Sequence, residues 1–156
     1  HHKYVSLLSK VVRLKFVDIR ALPTPMETIE YVQGSVLSLP FRSASLSSVS
    51  SLCVLEHVGL GRYGDELDPR GTEKAIAELR REIAPGGNLY VSVPVDRENR
   101  TYFNAHRAFR EDDFLGFFPG WRVAEKKYIF GNEFCGIWKS DIGVGCYHLV
   151  APMKGS

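Results

Sequence analysis

Two short runs of the sequence carry the side chains best suited to chemistry: Glu56, His57, Arg62, Asp65 and Asp68 in the first, Asn104, His106 and Arg107 in the second. A histidine titrates near neutral pH, so His57 or His106 suits removal of a proton from a reacting group. The structural alternative is that His57 fixes the loop by bonding to backbone and His106 caps the helix that follows. Carboxylates and guanidinium groups grip sugar hydroxyls or phosphate, which makes Arg62, Asp65, Asp68, Arg70 and Arg107 candidates for substrate recognition. The bland reading of the same residues is a solvated loop held by local ion pairs. Gly59-Leu60-Gly61-Arg62-Tyr63-Gly64 spells G-x-G-x-x-G, the pattern that cradles a pyrophosphate at a helix N-terminus. Here Asp65-Glu66-Leu67-Asp68-Pro69 follows, which sets carboxylates and a proline where that helix should begin. A dinucleotide-dependent oxidoreductase is therefore the weaker reading, decided by whether the loop from Gly59 runs straight into a helix. Asp18 is the remaining candidate. An acid at the carboxyl end of a parallel strand can accept hydrogen bonds from both hydroxyls of a ribose, and its alternative is an ordinary loop or capping Asp.

These residues need elements to hold them. Tyr4, Leu7, Leu8 and Val11 are at helical spacing and predict a short amphipathic helix over 4–11. Residues 13–19 and 29–33 alternate polar and apolar and predict two strands, separated where Pro23 and Pro25 stop regular structure. The serine-rich stretch 43–51 reads as a loop that runs into an apolar core strand, Leu52-Cys53-Val54-Leu55. After the loop 59–71, Thr72 is a plausible N-cap, and Ala75, Ile76, Leu79 and Ile83 mark one face of a helix that Pro85-Gly86-Gly87 terminates. Residues 89–95 predict a buried strand and 112–118 a short helix closed by Pro119-Gly120. Residues 121–130 and 146–151 predict two longer antiparallel strands at the end of an α/β sheet. The carboxyl ends of the strands before Asp18, Gly34 and His57 then open on one sheet edge, where ligands bind in open α/β folds.

The chain has 156 residues, 44% hydrophobic and 24% charged, which fits one globular domain and excludes a disordered or collagen-like chain. A net charge of +2 gives no reason to expect nucleic acid or a membrane surface as partner. No stretch approaches the roughly 20 apolar residues of a membrane span, and the first residues lack the apolar core of a secretory signal. Cys53, Cys135 and Cys146 are scattered and odd in number, without zinc-ribbon or dithiol spacing, so a reducing compartment, the cytoplasm, is expected. With so little positive charge, Tyr102, Phe103, Trp121 and Tyr128 read as core or rim packing rather than a base-stacking platform.

The order of elements resembles the later strands of class I S-adenosylmethionine-dependent methyltransferases, whose sheet order is 3-2-1-4-5-7-6 with strand 7 antiparallel. Phe16-Val17-Asp18-Ile19-Arg20 looks like that family's second strand with its ribose-binding acid, and residues 32–41 look like its third strand and adenine-side turn. Val54-Leu55-Glu56-His57-Val58 resembles the end of the fourth strand, and residues 83–92 the stretch entering the fifth. More narrowly, Leu55-Glu56-His57-Val58-Gly59-Leu60-Gly61-Arg62-Tyr63-Gly64-Asp65 with Phe103-Asn104-Ala105-His106-Arg107 is similar to a methyltransferase-like domain family of unknown function. The resemblance implies an α/β, three-layer Rossmann-like domain, mostly parallel with an antiparallel C-terminal strand. It implies S-adenosylmethionine as cofactor and a small polar molecule, such as a sugar, as methyl acceptor. Asp18 and Ile19 would hold the ribose, Gly34 and Ser35 border the adenine, and Leu52 and Cys53 line the floor. His57 or His106 would be the base, with Glu56, Arg62, Asp65, Asn104 and Arg107 facing the acceptor. Two departures stand out. Only His1-His2-Lys3 precedes the first helix, so the family's first strand and glycine-rich turn are expected to be missing. Ser35 also stands where an acid usually holds the adenine amino group. Some relatives carry a Glu-x-x-Glu-His magnesium run; Cys53 replaces its first Glu, so no metal is expected. The rival reading from another class is a binding domain that keeps the sheet without catalysis. A sheet without its middle strand would favour a homodimer.

Overall fold

A computed structural model describes residues 3–21, 28–139 and 142–153. Pro23 and Pro25, read above as stopping regular structure, lie outside the described residues. The chain divides into two compact units, His1–Pro40 and Phe41–Ser156.

In the first unit, α1 (Lys3–Leu8) precedes two parallel strands, β1 (Leu14–Asp18) and β2 (Ile29–Gln33), paired from Leu14↔Ile29 to Asp18↔Gln33. The helix is shorter than the expected 4–11 and turned differently. Tyr4, Leu7, Leu8 and Val11 are exposed, and Val5 with Ser9 forms the buried face. The reason is local: after Leu8 the backbone tightens to three-residue bonds, Lys10 to Leu7 and Val11 to Leu8. Small Ser9 then turns inward, where its hydroxyl donates to the Ser6 carbonyl and accepts from Thr28. The strand pair is held by the Lys15–Glu30 ion pair at 2.7 Å and the edge-on Phe16 and Tyr31 rings. Gly34 donates its N–H to the Asp18 carbonyl at 3.0 Å and carries the ladder one bond past β2.

The second unit contains β3 (Leu46–Leu52), a 3-10 turn (Leu55–His57), α2 (Gly71–Glu82), β4 (Ile83–Val95), the small antiparallel strands β5 (Arg100–Thr101) and β6 (Arg107–Ala108), α3 (Glu111–Gly116), β7 (Arg122–Phe130), β8 (Glu133–Cys135) and β9 (Gly143–Val150). Its main sheet has the order β3-β4-β9-β7-β8. β3 is parallel to β4, whereas β9 runs against both β4 and β7. The β1-β2 pair follows the 2-3 part of the methyltransferase order, and β3-β4-β9-β7 the 4-5-7-6 part with its reversed strand. No described strand corresponds to the family's first. β8 is an addition that pairs with β7 as a hairpin.

The serine-rich stretch is a strand, not a loop. Serine is tolerated there because β3 exposes most of its side chains and packs mainly through Ser51, while Cys53, at φ 53°, ends the strand before the expected apolar run begins. Thr72 does not cap α2: Arg70 holds the N-cap position without a side-chain bond, and Thr72 lies inside the first turn. Helix α2 passes directly into β4 at Ile83, so Pro85-Gly86-Gly87 is an irregular start of that strand, marked by the register shift between Leu46 and Ser48. The core follows the strand alternation. Leu89, Val91, Val93 and Val95 of β4 share one face with Tyr147 and Leu149 of β9, all at most 2% exposed. Fully burying such a side chain contributes roughly 1.5–3 kcal/mol. Phe114 of α3 lies against Phe109, Phe118 and Tyr147 with ring centroids 5.5–5.8 Å apart, and Ala75, Ile76 and Leu79 supply the buried stripe of α2. Among the described residues no helix is long and apolar enough to cross a membrane.

Candidate functional site

The second unit brings together the two motifs singled out in the sequence. β3 ends at Leu52, and the next residue, Cys53, donates its N–H to both the carbonyl and the hydroxyl of Ser92 on β4, at 3.0 and 3.1 Å. The chain then makes the Leu55–His57 turn, with Leu55 fully buried, and leaves in a long loop that returns to α2. The loop is closed where Gly59 passes Gly71. At Gly59, φ is +78° and a Cβ would stand 2.1 Å from the Asp68 carbonyl oxygen; at Gly71 it would stand 2.7 Å from that of Val58. Only glycine permits this crossing.

Two carboxylates of the loop, Asp65 and Asp68, accept from its backbone. Asp65 accepts from the N–H of Gly59 at 2.6 Å and of Tyr63 at 3.1 Å. Burial pushes its pKa up, but these backbone donors outweigh burial and hold the carboxyl below its ordinary value. Asp65 therefore fills the position at the glycine turn where a dinucleotide fold would place pyrophosphate. The helix begins only at Gly71, so the loop does not run straight from Gly59 into it, and the oxidoreductase reading loses its support. Asp68 accepts from Lys74 at 2.6 Å and from the Arg70 N–H at 2.9 Å, which anchors the start of α2. Arg70 contributes its backbone there.

The second motif forms the tip between β5 and β6. Tyr102 N–H donates to the His106 carbonyl, and Ala105 N–H to that of Tyr102, with Asn104 at φ 50°. Arg107 reaches from β6 to the loop, its guanidinium donating to the carbonyls of Val58 and Asp68 and to the hydroxyl of Thr72. Thr72 in turn donates to the Leu55 carbonyl at 2.7 Å. Desolvation holds Arg107 below its ordinary pKa, against the pull of Asp68 and Asp65. Ala105 supplies one carbonyl to two donors, His57 Nδ1 at 3.0 Å and Arg62 at 2.7 Å. Since a carbonyl only accepts, His57 carries its hydrogen on Nδ1, and Nε2 faces Glu56 Oε1 at 3.8 Å. The rings of Tyr63 and His106 stand edge-on to His57, at 5.6 and 6.3 Å. His57 does bond backbone, as its structural alternative had it, and through one nitrogen only. His106 caps no helix, because β6 follows it. Phe103 is fully exposed, so it belongs neither to the core nor to a packed rim.

Glu56 is the residue whose setting the sequence did not convey. Its side chain is 2% exposed, Oε2 has no hydrogen-bond partner among the described residues, and burial raises its pKa to about 7. Desolvation lowers that of His57, against the Ala105 bond; Arg62 and His106 add to the lowering and Asp65 opposes it. Cys53 is raised by burial, with the Ser92 hydroxyl opposing and Glu56 contributing. The only signal available in sequence was a carboxylate joined directly to an apolar strand end.

In the first unit Asp18 stands at the carboxyl end of β1, as expected. Arg20 holds both its oxygens, through N–H and Nε to Oδ1 and through the guanidinium to Oδ2 at 2.9 Å. The Ile19 carbonyl accepts from Gln33, and the Ser35 hydroxyl accepts from the Leu37 N–H in a tight turn after Gly34.

The architecture is that of class I methyltransferases. Over 97% of this chain it superposes on the [4+2]-cyclase SpnF with a TM-score of 0.71 at 12% identity, covering 72% of that protein. A Burkholderia thailandensis 1,6-didemethyltoxoflavin-N1-methyltransferase, whose structure holds 1,6-didemethyltoxoflavin and S-adenosylhomocysteine, gives 0.69 at 16% identity over 96% of this chain and 65% of its own. A SAM-dependent methyltransferase from Methanosarcina mazei gives 0.65 at 12% over 97% and 87%. No curated protein matches the sequence. By sequence, the chain belongs to the family described as Caenorhabditis protein of unknown function, DUF268, which matches residues 26–125.

Proposed function

We propose that this chain serves S-adenosylmethionine-dependent methyl transfer to a small polar acceptor, with a sugar as the acceptor class that the polar loop suits best. The observation that carries the reading is the acid at the end of β1, in a chain whose two main sheets each follow a part of the methyltransferase strand order. Asp18 is the ribose ligand in this reading, beside Ile19, and Gly34 and Ser35 border the adenine. The residues fit such a group: Asp18 stands at the carboxyl end of β1, and Gly34, which donates its N–H to the Asp18 carbonyl, leads into the tight turn at Ser35 after β2. The cofactor would supply the electrophilic methyl group; this chain's residues orient the acceptor and take its proton. His57 Nε2, the imidazole nitrogen without backbone duties, is the proposed base, with His106 beside it. Arg62 and Asn104 frame the same loop surface.

A non-catalytic binding domain is the second reading, favoured by the Arg20 clamp on Asp18 and by the fold's tolerance of other functions. Calorimetric titration of S-adenosylhomocysteine into the full natural chain separates the two. Binding is expected, and Asp18→Ala should weaken it roughly ten- to a hundredfold, the worth of a charge-assisted hydrogen bond of about 1.5–3 kcal/mol, with an unchanged circular dichroism spectrum. Unchanged affinity removes Asp18 from the site. No binding to the full chain overturns methyl transfer in favour of the binding domain.

A further inference from the structure

We infer that Glu56 and His57 act as a single one-proton pair, in which His57 Nε2 meets the acceptor and Glu56 is the buried positioning residue that sets when this nitrogen is free. Three geometric facts carry it. The Ala105 carbonyl fixes the Nδ1 hydrogen of His57, so the imidazole presents Nε2 alone to its surroundings. The group on that side is the Glu56 carboxyl at 3.8 Å, which is 2% exposed and cannot reach substrate from solvent. Its second oxygen is buried with no hydrogen-bond partner among the described residues. A carboxylate in that position is costly unless a proton or a cation answers it, and the imidazole is the group within reach to do so.

The surrounding charges decide how the proton is shared. His57 faces Arg62 and Asp65 from its own loop and His106 from the β5–β6 tip, and Glu56 faces Cys53 from the end of β3. Arg62 and His106 disfavour an imidazolium, Asp65 favours it, and burial disfavours both charged forms. The stable arrangement near neutral pH is a protonated Glu56 beside a neutral His57. Loss of the Glu56 proton at higher pH leaves a carboxylate that stabilises the imidazolium formed when His57 accepts the acceptor's proton. No atom is gained or lost in this step beyond the one proton, which passes from the acceptor to Nε2. The role as base rests on the methyl-transfer reading; the shared proton does not.

The test therefore reads protons first. In the full chain, histidine ring NMR across pH 4–9 should show the His57 resonances moving in a step near pH 7, in addition to a step at lower pH. The Glu56 side-chain carboxyl carbon should titrate with the same midpoint. Glu56→Gln should abolish the step near pH 7 and leave the Nδ1–H tautomer in place. If that variant does not fold, coincidence of the two midpoints in the unmodified protein is the criterion. Unequal midpoints, or a His57 titration unchanged in Glu56→Gln, overturn the pair. Wherever methyl transfer is measured, the rate should rise with pH through about 7, and Glu56→Gln should move that limb down in pH. A protein that shows the coupled titration and binds no S-adenosylmethionine keeps the pair and loses the methyl-transfer reading.

Discussion

Arg107 joins the two sequence motifs, and its removal tests whether they form one structural unit. Its guanidinium makes bonds to the carbonyls of Val58 and Asp68 and to the Thr72 hydroxyl, three acceptors on the loop and the first turn of α2. A hydrogen bond to a charged group contributes about 1.5–3 kcal/mol, but three from one side chain do not add, and burial of the charge offsets part of the gain. Arg107→Ala also leaves those acceptors without their donor. A net loss of about 2–4 kcal/mol follows, and at about 2–4 °C per kcal/mol for a chain of this size the melting temperature should fall roughly 5–15 °C. Arg107→Lys should recover less than half, since an ammonium on a shorter reach cannot serve three divergent acceptors. Urea unfolding followed by far-ultraviolet circular dichroism gives the free energy, and hydrogen exchange at Asp68 and Gly71 locates the damage. An Arg107→Ala protein within about 0.5 kcal/mol of the unmodified one, or a lysine variant equal to it, would refute the claim that this side chain holds the loop.

The loop closure offers a paired test. Gly59→Ala sets a methyl group into the Asp68 carbonyl at a positive φ and should cost about 3–5 kcal/mol, whereas Gly64→Ala at φ +87°, with nothing within 4 Å of its Cβ, should cost only the roughly 1–2 kcal/mol of that backbone conformation; equal losses by denaturant titration would contradict the crossing. Asp65 gives a pH test whose sign is fixed by its lowered pKa: its stabilisation is complete above the unfolded carboxyl value and is lost as pH falls through the folded one. Asp65→Asn should therefore be less stable at neutral pH, with the difference shrinking below about pH 4; a difference that does not shrink in acid would mean that the carboxylate charge is not what the Gly59 and Tyr63 amides hold.

Much of the fold was legible where side-chain periodicity and burial agree. The alternation in 13–19 and 29–33 marks β1 and β2, because Lys15 and Glu30 are exposed between less exposed apolar neighbours, and the run 89–95 marks β4, because every residue of it except Tyr90 is buried. β3 was misplaced for the converse reason. Its serines carry no apolar signature, yet backbone pairing with β4 makes the strand, and the neighbouring apolar residues fall after the Cys53 turn. The first helix went astray because six residues contain too few turns to fix a face: Val5 and Ser9, not the larger Leu7 and Val11, point inward. The short β5 and β6 have no periodicity to read, being two residues each.

The candidate site divides along the same physical line. Residue types announce which groups can move protons or carry charge, so His57, His106, Asp65 and Arg107 stood out at once. Whether such a group faces a ligand or the protein depends on bonds between distant segments, which spacing does not encode. Asp65 and Arg107 were read as gripping an acceptor, and both are bonded to loop backbone. Glu56, read as facing the acceptor as well, lies on a 3-10 turn, where three residues per turn set adjacent side chains about 120° apart, and it is the one turned inward, at 2% exposure against 20% for His57. That single turn of backbone converts two adjacent polar letters into a buried carboxyl beside a half-buried imidazole. A carboxyl so placed acts on an acceptor only through the histidine, which is why the coupled titration, and not a loss of substrate affinity, is the measurement that distinguishes its role.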